Sequence, residues 1–145
     1  MIENDTVQRG YPHAFRVREF AAIGAGGIVG ALMRHAGELL LPSVNQGFPW
    51  ATFIENISGS FLIGFAAAFI TRRSVNPLLN PFLLVGVFGS YTTFSTFAVG
   101  FWERIDAGWY VLAWSYSGST LVLGLIAVWL GHVCGSTKKW SSNDF

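Results

Sequence analysis

The sequence predicts an all-α membrane protein built on four transmembrane helices, and three observations carry that prediction. Charged residues make up 12% of the 145-residue chain while 52% are hydrophobic, against roughly 25% charged in an ordinary soluble domain. Four apolar windows, approximately Phe20–Leu41, Ala51–Ile70, Pro81–Trp102 and Trp109–His132, each reach the roughly 20 residues that cross a hydrocarbon core. The connections between them are short and carry breakers: Pro42 and Pro49, then Asn76-Pro77 with Asn80-Pro81, then Asp106-Ala107-Gly108.

This leaves a four-helix transmembrane unit over 16–135, flanked by an N-terminal tail (1–15) and a C-terminal tail (136–145), both expected to be mobile and solvated. No separate soluble domain fits. The first apolar window is longer than a signal-peptide core and has no small-residue cleavage site, so a retained helix is expected. A lone Cys134 gives neither a disulfide framework nor a metal cluster. A formal net charge of +1 with no basic stretch gives no reason to expect nucleic acid as a partner.

Charge placement predicts orientation, because Lys and Arg are retained in cytoplasmic segments. The side shared by both termini and the second loop holds seven, namely Arg9, Arg16, Arg18, Arg72, Arg73, Lys138 and Lys139; the other side has only Arg104. Both termini are therefore expected in the cytoplasm.

The first helix carries Gly26 and Gly30, a GxxxG pair that suits close helix approach. Arg34 lies within the span, where a charge is costly and faces protein or a hydrated cavity. Glu38 stands four residues on, so an intrahelical ion pair and an anion-attracting vestibule are both open readings. On the second helix Thr52, Asn56 and Ser60 form a polar stripe at four-residue spacing. Its amide serves either as interhelical glue or, in a pore, as a two-donor group for an anion. Glu55 reads either as a group reaching the interface or as a functional membrane carboxylate.

The third helix contains "GVFGSYTTFSTF" at 86–97. Gly86, Gly89 and the run Ser90-Tyr91-Thr92-Thr93 all weaken a helix. A break between Gly89 and Thr92 would free carbonyls and N–H groups for ions near the midplane; a continuous helix packed on small residues fits these residues equally well. Phe94 and Phe97 share a helix face, and an aromatic ring presents a positive edge. In a membrane helix two such residues are ordinarily packing. Tyr116, Thr120 and Gly124 repeat the four-residue spacing on the last helix. Trp109, Trp114, Trp129 and Trp140 suit interfacial belts.

Four stretches occur in order, one per helix: "GGIVGALMR" at 26–34, "NISGSFLIGF" at 56–65, "GSYTTFSTF" at 89–97 and "YSGSTLVLGL" at 116–125. Together they resemble the CrcB/Fluc fluoride channels. The resemblance implies a broken third helix and an antiparallel dual-topology dimer with two fluoride pathways. It also implies a structural sodium ion at the dimer centre, matched here by the backbone carbonyls of Gly89 and Thr92. Asn56, Phe94, Ser95, Phe97, Tyr116 and Thr120 match pathway positions, and Arg34 matches a basic residue at the entrance. The family is not enzymatic; it exports fluoride passively across the bacterial cytoplasmic membrane.

Three positions depart from the pattern: Glu55 where an aliphatic residue is usual, Ser90 for a second glycine, and Gly100 where Glu is common. The charge bias opposes insertion in both directions, so an oppositely oriented paralogue is expected as the second subunit, with an identical chain as the alternative. A proton-coupled small-molecule exporter of the small multidrug resistance type is the alternative function, with Glu55 or Glu38 as its carboxylate.

Overall fold

The computed structural model describes residues 17–41, 47–72 and 75–136. Both tails apart from Ser136, and with them Arg9, Lys138, Lys139 and Trp140, lie outside the described residues, as do Arg16 and Arg73. The described chain forms α1 (Val17–Leu40), α2 (Trp50–Arg72), a π-wound segment (Pro81–Phe88) that runs into a short α3 (Gly89–Tyr91), then α4 (Phe94–Asp106) and α5 (Tyr110–Gly135).

The breakers act as their chemistry dictates. Asn76 Oδ1 accepts the Leu78 N–H at 2.9 Å, a side-chain turn that sets up Pro77. Pro81 opens the π-wound segment, where its missing N–H costs no helical bond. Between α4 and α5, Gly108 adopts φ +79°, a conformation that a Cβ disfavours. The Trp109 N–H then closes the turn on the Arg104 carbonyl at 2.7 Å.

Small residues determine which helices touch. A Cβ at Gly26 would strike the Phe82 carbonyl, and one at Gly30 would strike the Val87 carbonyl. Both numbers ascend together, so α1 runs parallel to the third membrane stretch. In the same way Gly131 lies on the Phe61 carbonyl, and Gly135 on the Phe65 carbonyl, making α2 and α5 parallel. Apolar burial gives no net gain between helices in lipid, so such backbone-to-backbone packing is what holds them.

Little of the chain is buried. Ala66, Val87 and Phe88 form the core, with Leu62, Ile63, Ile70, Phe82, Leu83 and Leu84 packed around them. Large apolar side chains such as Leu32, Val111, Leu125 and Trp129 face outward. An apolar surface of this extent is unsuited to water and is that of an integral membrane protein. Three stretches are long and apolar enough to cross a bilayer: Trp50–Arg72, Pro81–Asp106 and Tyr110–Gly135. With 24 residues α1 has the length, but Arg18, Glu19, Arg34, His35 and Glu38 lower its hydropathy.

Candidate ion-conduction site

The third membrane stretch changes conformation in the middle. After Tyr91 the chain leaves helical space for two residues, Thr92 at φ −76°, ψ 150° and Thr93 at φ −143°, ψ 124°, before α4 starts at Phe94. Backbone polar groups at membrane depth need partners, and side chains supply several of them. The Asn56 amide of α2 bonds Thr93 from both ends: Nδ2–H donates to the Thr93 carbonyl at 3.1 Å, and Oδ1 accepts the Thr93 N–H at 2.9 Å. Thr93 also caps α4, its Oγ1 accepting the Thr96 N–H at 3.2 Å. Ser95 Oγ stands 3.1 Å from that same hydroxyl. Tyr91 is tied to α2 by a 3.0 Å contact between its hydroxyl and Ser58 Oγ.

These substitute bonds release specific carbonyls. In a continuous helix the Thr93 N–H would donate to Gly89 and the Thr96 N–H to Thr92. Here they donate to Asn56 Oδ1 and to Thr93 Oγ1. The carbonyls of Gly89 and Thr92 thus lose their ladder donors. No cluster of His, Cys, Asp or Glu among the described residues could hold a metal.

Beside the interruption is an open groove of about 410 Å³, lined by Asn56, Thr92, Phe94, Phe97 and Thr120 among others. Of the pathway residues expected from sequence, Asn56, Phe94, Phe97 and Thr120 meet there. Phe94 is 80% exposed, and its ring lies 5.8 Å from that of Phe97. One N–H of the Asn56 amide is engaged by Thr93, and the second has no partner among the described residues. The Thr120 hydroxyl donates to its own helix at the Tyr116 carbonyl, 2.7 Å away, so it presents lone pairs to the groove in this rotamer.

Other expected residues lie apart from the groove. Ser95 belongs to the α4 cap. Tyr116 is fully buried, its ring 5.3 Å from Phe97 and edge-on to Phe48 at 5.5 Å, and its hydroxyl has no partner among the described residues. Arg34 makes a 3.9 Å contact with Glu38 at i,i+4, both side chains partly exposed.

Two residues with ionisable side chains, Glu55 and Arg104, are deeply buried. Glu55 is 2% exposed and does not reach the interface; its Oε1 abuts Gly37 of α1 and neither carboxyl oxygen has a hydrogen-bond partner among the described residues. Arg104, counted as a loop cation, is 3% exposed. Its guanidinium donates to the Gly47 carbonyl from Nε at 3.1 Å and from Nη2 at 2.6 Å, and to the Gly100 carbonyl from Nη1 at 2.8 Å. Nη1 also contacts Glu103 Oε2 at 3.0 Å.

A family model described as "CrcB-like protein, Camphor Resistance (CrcB)" matches residues 21–132. A protein of Listeria monocytogenes serotype 4b (strain F2365) named fluoride-specific ion channel FluC 1 is 41% identical over 120 residues, which is 80% of this chain and 96% of that relative. The fluoride-specific ion channel FluC of Rhizobium meliloti (strain 1021) is 37% identical over 111 residues, 75% of this chain and 89% of its own. FluC 1 of Mycobacterium tuberculosis (strain CDC 1551 / Oshkosh) is 40% identical over 117 residues, covering 80% of this chain and 89% of the relative. With the matched region spanning every helix described above, the chain belongs to the CrcB-like protein family.

Proposed function

We propose that this integral membrane protein is one subunit of a fluoride-selective ion channel, not an enzyme, that lets fluoride leave the bacterial cytoplasm passively. Hydrogen fluoride enters uncharged and dissociates inside, so an open anion path and an inside-negative potential suffice for export. The observation that carries the reading is the two-residue interruption at Thr92-Thr93, splinted by Asn56 beside the Phe94–Phe97 groove.

In this reading the interruption is the broken third helix of a channel. The unengaged Asn56 N–H is a donor for fluoride, and the positive ring edges of Phe94 and Phe97 attract the anion without gripping it. Such weak sites suit conduction, which needs entry without trapping. Ser95, Tyr116 and Thr120 continue the path, and Arg34 draws anions to the entrance. The freed carbonyls of Gly89 and Thr92 would hold the sodium ion, which supplies a fixed central charge.

The exposure of Phe94 and Gly89 supports an antiparallel second subunit covering that face, with both termini of this chain in the cytoplasm. The seven-to-one charge bias favours an oppositely oriented paralogue over an identical chain. The proton-coupled exporter is not favoured, since the relatives above are named ion channels. Liposomes carrying this chain alone test the assembly: robust fluoride efflux, followed with a fluoride electrode, rejects an obligate paralogue. Efflux that appears only on adding an oppositely biased subunit supports one.

A further inference from the structure

The groove stops short of Tyr116. Thr120 and Gly124 of α5 line it, but Tyr116, one turn nearer the start of that helix, is sealed from solvent. Two rings close over it. Phe97 lies on the groove side at 5.3 Å, and Phe48, just before α2, stands edge-on at 5.5 Å. Phe48 is itself only half-buried, and its ring also meets those of Trp50 and Phe53, at 4.5 and 5.1 Å. The backbone is held on either side of it. Pro49 is buried, and its carbonyl accepts the Phe53 N–H at 3.0 Å. The Gly47 carbonyl accepts two bonds from Arg104, from Nε at 3.1 Å and from Nη2 at 2.6 Å. The Arg104 guanidinium is in turn fixed through Nη1, which donates to the Gly100 carbonyl and to Glu103 Oε2. A rigid planar fork of donors therefore joins α4 to the residue that precedes Phe48.

We propose that Phe48 is a plug at this end of the fluoride path, and that Arg104 is the positioning residue that keeps the plug seated on Tyr116. The inference rests on the channel reading, in which Tyr116 continues the path beyond Phe97, and it brings in two residues with no place in that path. An anion cannot pass Tyr116 while both rings enclose it. Of the two, Phe48 can withdraw at least cost, because it is partly exposed and needs only to rotate about its own side-chain bonds. Exposed side chains exchange rotamers in picoseconds to nanoseconds, so such a plug slows passage without locking it. By fixing the Gly47 carbonyl, Arg104 sets the direction in which the Phe48 ring points.

Fluoride and chloride release from liposomes containing the assembled protein is compared for wild type, Phe48→Ala, Phe48→Trp, Arg104→Gln and the double variant Phe48→Ala/Arg104→Gln, with thermal midpoints measured beside the rates. Phe48→Ala is expected to release fluoride severalfold faster than wild type and Phe48→Trp more slowly, with chloride still excluded because Asn56 and Phe94 are untouched. Arg104→Gln should also speed release, and should add little in the Phe48→Ala background, since Arg104 acts through the ring; non-additivity is the mark of such coupling. A purely structural role would slow release as the thermal midpoint falls, so a faster rate separates the two. If Phe48→Ala does not assemble, Phe48→Leu keeps an apolar side chain and tests the same direction. Release from Phe48→Ala or Phe48→Leu at or below the rate of a conducting wild type overturns the plug and leaves the channel reading intact. An unchanged rate in Arg104→Gln, or full additivity in the double variant, overturns the positioning role. A wild type that releases no fluoride overturns both the plug and the channel reading.

Discussion

Asn56→Leu removes the splint at the interruption while keeping the number and branching of side-chain heavy atoms. The side chain makes two bonds to one residue, at 3.1 and 2.9 Å, and Thr93 is itself buried. Interhelical side-chain bonds in membrane proteins average only about 0.6 kcal/mol, because the unfolded state finds other partners. Thr93 is a different case, since its extended backbone has no helical acceptor or donor to fall back on. Two orphaned main-chain groups at about 1–3 kcal/mol each give a loss of about 2–6 kcal/mol. Reversible unfolding in mixed micelles measures this directly. Ser60→Ala, in the same groove, serves as the control and is expected within about 0.5 kcal/mol of wild type. Asn56→Asp keeps the acceptor for the Thr93 N–H and should lose less stability than Asn56→Leu. An Asn56→Leu protein as stable as the Ser60→Ala control would refute the splint.

Phe94→Ile is expected to change stability by less than about 1 kcal/mol, as its ring is exposed, yet to abolish most fluoride efflux; wild-type flux would return Phe94 to a packing role. Gly64→Val places a side chain against the Val128 carbonyl and should separate α2 from α5, costing several kcal/mol, roughly 3 or more, as overpacking does at its upper end; a normal thermal midpoint would contradict the backbone contact. Replacing sodium with a bulky organic cation should lower both thermal midpoint and flux if the Gly89 and Thr92 carbonyls hold sodium, and no change in either would refute that role.

The helices were legible because their cause is local. Apolar runs bounded by Pro, Asn-Pro and Asp-Ala-Gly give the observed stretches within a few residues at each end. The Arg34–Glu38 contact follows from i,i+4 spacing. The polar stripe on α5 divides for a geometric reason. Each four-residue step turns a helix by about 40° beyond a full circle, so Thr120 and Gly124 line the groove while Tyr116 turns into the bundle. Similarly, Thr52 is buried while Asn56 and Ser60 reach the groove. Asn56 was legible as a polar residue of interest, but its hold on Thr93 depends on a partner 37 residues away. Nothing local announces the burial of Arg104 either, because its acceptor at Gly47 lies 57 residues upstream.

The channel reading is tested most directly by anion efflux from liposomes containing the assembled protein, with fluoride and chloride compared in one preparation. Rapid fluoride release with no detectable chloride release, needing only a membrane potential and no pH gradient, is expected. Equal release of both anions, or release that requires a proton gradient, would contradict it.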